Sequence, residues 1–491
     1  MSKKVIKLLE EVMKKLLIAV LPLLIVWVSQ DLGFADTTSD LQSMKYMIES
    51  LQQQMSKMQG TIEQQNLRIQ QLESRRMIET PKPSASLEPQ AATAIIGEAI
   101  PWLKGAKYGG DLRLRYEAFD FYDKNNDAGS TGTALDRTRN RFRMRLRWGF
   151  EKDYGDDWKV GFRLVTGNIN DQTSTNQTLG NPGYFTYKNI LIDRAYALYS
   201  PVCLVDQGVL QGLKIGAGKF ENPFSRYSTG IVWDADVTPE GAYEQVNFKL
   251  MENEKTKVTA QATAGQFLVN ENAGFESDAQ IFGYQGVLNF STSSFNTKEP
   301  VEFAAAAAFY DYTNWFQTVT SNTAGVSYLR TNTLIADDFR VIDIYSEVRF
   351  YVDKTPVTLW YDYAKNLANV GTENFAGSLG NDIHDMDDAW GLGVKAGKMK
   401  KKGDWEVVYN YYEVGANAVV AAFNDSDLGG PGQIGFTNRR GHRFGFSYQL
   451  TDNISTQWSM SLTHALNPSL SVASSANEDV LRSQVDLNYK F

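Results

Sequence analysis

Residues 139–150 read Arg-Asn-Arg-Phe-Arg-Met-Arg-Leu-Arg-Trp-Gly-Phe. Arg139, Arg141, Arg143, Arg145 and Arg147 fall on one parity, and Phe142, Met144, Leu146, Trp148 and Phe150 fall on the other. A period of two belongs to a β-strand, whose side chains point alternately to opposite faces. Such a strand has to divide water from an apolar medium. If that medium is lipid, an outward arginine costs about 2–4 kcal/mol near the midplane, so the arginine face must look into the lumen of a closed barrel. A soluble sheet with one wet face is the competing arrangement.

The rest of the chain weighs between the two. Short alternating segments recur at 110–119, 138–151, 158–167, 189–199, 211–220, 242–250, 257–267, 279–290, 301–311, 339–351, 356–364, 389–397, 404–413, 440–450, 454–464 and 482–491. Tight connections, such as 153–157, 353–355 and 451–453, alternate with long ones rich in Gly, Asn, Asp and Ser. Short periplasmic turns and long external loops produce that alternation, with both chain ends on the periplasmic side. No blade-length motif recurs, which argues against a propeller. Hydrophobic residues make up 43% of the chain, yet mean hydropathy is only −0.35. Apolar outer positions alternating with polar inner ones cancel in just this way. The expected fold class is all-β: an antiparallel transmembrane β-barrel of about 16 strands over residues 109–491, preceded by an α-helical coiled coil.

Ahead of the barrel the sequence divides into three. Lys3, Lys4, Lys7, Lys14 and Lys15 flank an apolar run at 16–28, and Gly33-Phe34-Ala35 offers small residues for cleavage, which reads as a signal peptide over 1–35. The alternative is a membrane anchor, but the run falls short of the ~20 residues that span a bilayer. Within 36–78, Leu41, Met44, Ile48, Leu51, Met55, Met58, Ile62, Ile69 and Leu72 keep a 3-4 spacing broken only by Gln65. Those heptads predict a periplasmic coiled coil and self-association; packing of an amphipathic helix on its own barrel is the other reading. Residues 79–108, with Pro81, Pro83 and Pro89, read as a semi-rigid linker.

The charged residues on the inner parity are the candidate site. Arg113, Arg115, Arg139, Arg141, Arg143, Arg145, Arg147, Lys159 and Arg163 share the phase opposite apolar neighbours on the first three strands, and antiparallel pairing would stack them as a basic wall. A wall of permanent guanidinium charge lowers the barrier for anions; pairing with lumen acids is the structural alternative, and the two are compatible. Acids cluster at Asp234, Asp236 and Glu240 in the long connection after the fifth segment, where Ca²⁺ binding or loop capping would also use them.

Several functions are disfavoured. The formal charge is −8, near −10 without the signal, so nucleic acid is not an expected partner. Cys203 is the lone cysteine, leaving no disulfide framework and no cysteine-rich metal site. Only His384, His442 and His464 offer imidazole, and no nucleophile elbow or zinc-protease pair occurs. Asp382, His384, Asp385, Asp387 and Asp388 read as a solvated loop rather than a metal site. No catalytic residue, cofactor or metal is therefore expected. An envelope tether acting through the coiled coil, with the barrel as an anchor, remains as an alternative function, and a barrel enzyme as a weaker one.

One resemblance sharpens this reading. Gly110-Asp111-Leu112-Arg113-Leu114-Arg115-Tyr116-Glu117, the arginine-rich second strand, Gly218-Lys219-Phe220-Glu221-Asn222-Pro223-Phe224, Trp233-Asp234-Ala235-Asp236 with Pro239-Glu240-Gly241, and the terminal Phe491 resemble the Putative porin family of Gram-negative bacteria. Phosphate-selective porins resemble the chain more distantly, and no lysine-rich inward loop like theirs is present. The resemblance implies an outer-membrane channel for passive diffusion of small hydrophilic solutes or ions, in contact with outer-membrane lipid; a preference for anions is the expectation drawn from the arginine wall. It further implies a homotrimer, and a terminal Phe491 read by the barrel-assembly machinery. By resemblance to general porins, the third external loop folds inward as the constriction and sets Asp234, Asp236 and Glu240 opposite the basic wall.

Overall fold

A computed structural model describes residues 104–491, except 123–136, 156, 170, 272–276, 294–298, 316–338, 369–385, 429–436 and 468–478. The signal, the coiled coil and nearly all of the linker lie outside the described residues. Seventeen strands form one antiparallel sheet: β1 (Lys107–Tyr122), β2 (Arg137–Asp153), β3 (Trp158–Thr166), β4 (Gln177–Thr178), β5 (Ile190–Tyr199), β6 (Leu210–Lys219), β7 (Glu240–Glu252), β8 (Thr256–Asn270), β9 (Ala279–Thr292), β10 (Val301–Thr313), β11 (Phe339–Val352), β12 (Thr355–Asn366), β13 (Asp388–Gly397), β14 (Trp405–Val414), β15 (Arg439–Gln449), β16 (Ile454–Ala465) and β17 (Asp479–Lys490). β4 is a two-residue segment that pairs with the part of β2 beyond the reach of short β3. The other sixteen follow one another in chain order, and β17 pairs with β1 to close the ring. The barrel is thus all-β, closed and sixteen-stranded, and each expected segment overlaps one of those strands.

Closure is tight at its seam. The backbone amide of Gly110 donates to the carbonyl of Phe491 at 3.0 Å, and the amide of Phe491 donates back at 3.1 Å. A Cβ on Gly110 would lie 2.2 Å from the Arg147 carbonyl oxygen and 2.8 Å from the Phe491 ring. No larger residue fits there without moving one of them.

Exposure runs opposite to that of a soluble sheet. On β1 and β2, Leu114, Tyr116, Phe142 and Trp148 are exposed, while Arg115, Glu117, Arg143 and Arg145 are buried. The same inversion recurs around the ring at Tyr284, Leu288, Phe303, Ile344, Leu359, Phe444, Trp458 and Leu487. A continuous outer belt of this size is stable only against lipid. The arginine face is inward, as the alternation requires.

Short turns, the start of β1 and the end of β17 occupy one rim of the barrel; the long connections, numbered L1 to L8 in chain order, join the strands at the other. The main hydrophobic core lies inside the barrel, not between layers. L3 (220–239) contributes Phe220, Phe224, Ile231, Val232, Trp233 and Val237, which pack on Phe267, Ile281, Tyr310 and Phe339 of the wall. L7 (415–438, described except for 429–436) adds Ala418, Val419, Val420 and Ala422. Phe224 meets Tyr310 edge-on at 5.4 Å, and Trp233 stacks on Phe423 at 5.6 Å. Such ring pairs add about 0.5–1.5 kcal/mol each beyond area burial. The wall makes room for them: a Cβ on Gly283, across the ladder from Tyr310, would stand 2.7 Å from the Phe224 ring.

Candidate functional site: the charged lumen wall and its inward loops

The β1–β2 register sets arginines directly opposite one another, Arg113 against Arg145 and Arg115 against Arg143. Like charges in facing positions repel, so the wall is held only because acids are interleaved. Asp111 takes Arg145 at 2.6 Å and Arg147 at 2.7 Å. Glu117, fully buried, accepts from Arg141 and from Arg482 Nε (2.9 Å) and stands 3.8 Å from Arg143. Arg115 forks onto Asp486 with Nε at 2.7 Å and Nη2 at 2.8 Å. That bidentate geometry is stronger and more directional than a single contact. Arg113 donates to Asn176 at 2.6 Å. Farther toward the short-turn rim, Lys159 pairs with Glu151 at 3.1 Å, and Arg163 pairs with Asp193. Arg139 is exposed beside the segment 178–181.

Three loops meet over this wall. L3 and L7 share backbone hydrogen bonds, Asp234 N to the Phe423 carbonyl at 2.6 Å and Asp425 N to the Gly230 carbonyl at 2.9 Å. L2 (167–189) joins them through Gln172, whose side-chain amide donates to the Ala422 carbonyl at 2.9 Å. L7 then reaches the wall: Asp427 takes Arg482 at 2.8 Å and Arg115 at 3.4 Å, and Asp425 takes Arg443 at 3.1 Å. Between L2, L3 and L7 lies a cavity of ≈ 750 Å³, lined by Ile169, Ser174, Trp233, Asp236, Trp315 and Phe423 among others.

The loop carboxyls are not equivalent. Burial works against ionisation of Asp427, but Arg482, Arg115 and Arg443 outweigh it and hold its carboxyl well below the usual range. Asp234 is raised well above that range, by burial first and then by Asp425 and Asp236. It accepts the amides of Asp236 at 2.8 Å and Ser426 at 3.2 Å, so it ties L3 to L7 rather than facing a guanidinium.

Of the L3 acids, one stands beside the basic wall. Asp236 lies 3.5 Å from Arg147 and 3.3 Å from the Thr175 hydroxyl. Glu240 departs from the expectation, because it opens β7 and pairs at 2.9 Å with Lys219, its register partner on β6. The greater share of the opposing charge comes from acids the sequence reading did not place at the site, Glu117, Asp486 and the L7 pair Asp425 and Asp427, while Arg443 and Arg482 extend the basic wall itself. One signal for L7 exists in the sequence. Ala416-Asn417-Ala418-Val419-Val420-Ala421-Ala422-Phe423 is an apolar run inside a long connection, and a solvated loop has no use for it. The lone thiol, Cys203, sits in the 3-10 turn Val202–Leu204 between β5 and β6. The acidic cluster around His384 lies mainly outside the described residues.

Among solved structures, the chain is similar to OmpF of Salmonella typhi in complex with daunomycin (13% identity, 79% of this chain and 98% of that one, TM-score 0.41). It is also similar to OprB of Pseudomonas putida (10%, 81% and 97%, TM-score 0.44) and to the outer membrane channel DcaP of Acinetobacter baumannii (12%, 79% and 97%, TM-score 0.38). No curated protein sequence matches it. A family model does, over residues 84–333 and 317–491, which together take in the whole barrel. The chain belongs to the Putative porin family.

Proposed function

We propose that this outer-membrane porin passes small hydrophilic solutes by passive diffusion through a constriction that L2, L3 and L7 build against the charged wall, with a mild preference for anions. The observation that carries the reading is the pairing of an apolar outer belt with an inner wall of alternating charge. Eight guanidinium groups (Arg113, Arg115, Arg141, Arg143, Arg145, Arg147, Arg443, Arg482) share that region with six carboxylates, Asp111, Glu117, Asp236, Asp425, Asp427 and Asp486. The excess is positive but small, so selectivity for anions is weak rather than strict. Passive diffusion requires no cofactor and no catalytic group.

The finer assignments belong to the same proposal. Residues 1–35 act as signal peptide, 36–78 as a periplasmic coiled coil, 79–108 as linker and 109–491 as the channel. Self-association, as a homotrimer, draws support from Tyr184, Phe185 and Tyr187, which stand fully exposed on L2. Three adjacent bare aromatics are costly in water and suit a protein contact. Phe491 serves as the assembly signal.

Ion conductance and reversal potential of the refolded protein in a planar bilayer, under a salt gradient, test the reading. Stepwise openings are expected, with anion preference reduced by Arg143→Ala plus Arg145→Ala. The core inside the barrel gives the tether alternative a definite form, a barrel plugged by its own loops. A barrel that inserts and stays silent would support that alternative and end the open-channel reading.

A further inference from the structure

The turn between β13 and β14 is the basic point of the short-turn rim. Lys398, Lys400, Lys401 and Lys402 fall within five residues, against the single acid Asp404. No other short turn has more lysines than acids: Asp353 stands beside Lys354, Glu254 beside Lys255, and Asp206 and Asp452 have no lysine in their turns. All four lysines of the β13–β14 turn are exposed.

The acids at hand are engaged by the backbone. Oδ2 of Asp404 accepts the amides of Lys400 and Lys401, each at 2.9 Å, and Oδ1 of Asp452, in the neighbouring turn, accepts the amide of Lys402 at 3.0 Å. Those first two amides, ahead of the charges on Lys398 and Lys401, hold the Asp404 carboxyl below its usual range. Gly403 donates its amide to the Gln449 carbonyl at 2.8 Å, and Gln449 donates back to that of Asp404 at 2.9 Å. The shape of the turn is therefore fixed through its backbone, and its ammonium groups are left outward. Lys395 on β13 is paired, with Glu406 at 3.9 Å, but the four lysines of the turn are in no ion pair among the described residues.

Apolar surface adjoins this charge. Lys398 continues the ladder by donating its amide to the Trp405 carbonyl at 2.9 Å, and Trp405 pairs with Tyr448 on β15. Both rings are exposed on the outward face, above Val407 and Phe446, and Tyr108, Trp158 and Tyr489 continue the row of exposed rings along the same rim. Such a girdle marks the level of the lipid headgroups, so the turn, lying beyond Trp405, is at the phosphate side of it. Clustered ammonium groups at that level attract anionic headgroups within about a Debye length of the surface. We propose that the β13–β14 turn, with Trp405 and Tyr448, is a binding site for an anionic phospholipid of the leaflet at this rim, its phosphate held by the lysines and an acyl chain laid along Val407 and Phe446. Short turns face the periplasm in barrels of this kind, so the lipid is one of the periplasmic leaflet. The inference rests on the barrel's lying in a bilayer and is independent of whether it conducts.

The test uses full-length protein refolded in detergent and mixed with phosphatidylglycerol or with phosphatidylcholine of the same chains, bound lipid being counted by native mass spectrometry. Retention of phosphatidylglycerol is expected to be about fivefold tighter, and to weaken as ammonium acetate is raised. Lys398→Gln, Lys400→Gln, Lys401→Gln and Lys402→Gln together should bring the two lipids to nearly equal retention, while the same four positions changed to Arg should keep the preference. The turn's hydrogen bonds run through backbone amides, so these substitutions leave them in place. Equal retention of the two lipids by the wild type would overturn the site whether or not the variants fold, and so would a preference that survives in the glutamine variant. Wild-type binding to purified peptidoglycan that the glutamine variant loses, without any lipid preference, would overturn it in favour of a cell-wall contact. Conductance of the same preparations reports on the channel separately.

Discussion

Asp427 of L7 stands 2.8 Å from Nη2 of Arg482 on β17, and the same guanidinium donates to Glu117 on β1. One arginine thus links the barrel's closing seam to a loop folded into its lumen. Arg115 repeats the link from the other side of the seam, with Asp486 and Asp427 as its two acids. The loop is held by charges that the wall would carry in any case, and its carboxylate lowers the repulsion among them.

Replacing Asp427 with Asn should therefore do more than remove one contact. It leaves Arg115, Arg443 and Arg482 facing one another with one acid fewer. Loss of one member of a buried ion pair costs about 3–5 kcal/mol; because Asp427 is a quarter exposed, the low end applies. Denaturant unfolding in detergent should show that loss, and single-channel records should show increased current noise as L7 loosens. An unchanged midpoint would mean that L7 is held by its apolar run alone.

The apolar anchor of L3 can be tested separately. Gly283→Val would drive side-chain atoms into the space that the Phe224 ring fills, and overpacking costs about 1–3 kcal/mol. The wall is a continuous ladder, so the loop should move and the barrel should persist. Far-UV circular dichroism is expected to be unchanged, with the near-UV bands of Trp233 and its neighbours altered. Adding Phe224→Ala should restore much of the lost stability, because it vacates the contested volume.

How much of this was legible in the sequence depended on range. Strands announce themselves by a period of two that is local, so all sixteen are readable along the chain, and Arg115, Arg143 and Arg145 are buried on the parity opposite the exposed apolar residues. Partners do not announce themselves. Arg115 and Asp486 are 371 positions apart and meet only because the ring closes. L7 was missed for a related reason: its route inward is fixed by contacts to L3 and L2, not by any pattern of its own beyond the apolar run at 416–423. Glu240 was misplaced because the β6–β7 register, not the loop, sets its neighbour. β4 is too short to carry a period at all.

Protonation of the loop carboxyls gives a pH dependence of two signs. Asp427 is held below its ordinary 3.8, so its contribution is present above that value and is lost as pH falls through the depressed one. Asp234 is raised above 3.8, so its contribution is complete below that value and is lost as pH rises through the raised one. Lowering the pH through the raised range of Asp234, above 3.8, should therefore tighten the L3–L7 contact, and only acid below 3.8 should release L7. Amide exchange of residues 230–237 against pH would follow this, with protection rising as pH falls toward 3.8. Asp234→Asn should abolish the rise, since the amide no longer titrates.

Selectivity should respond most sharply where one L3 acid meets the wall. Asp236 lies 3.5 Å from Arg147, whose other partner is Asp111, so each group is only partly neutralised, and Asp236 lines the cavity between the loops. Asp236→Asn removes a negative charge while preserving shape, and Arg147→Gln removes a positive one. Reversal potentials in a salt gradient should move in opposite directions, toward anions for the first and toward cations for the second. Because the two removed charges are opposite in sign, the shifts should cancel and the double variant should fall near the wild type, any departure measuring the coupling between the two side chains. Local charges in a narrow, low-dielectric passage act over the few ångströms an ion must cross, so the shifts should shrink as salt rises and the Debye length drops below about 8 Å. Equal shifts at all salt concentrations, or none at all, would place the limiting segment of the pathway away from Asp236 and Arg147.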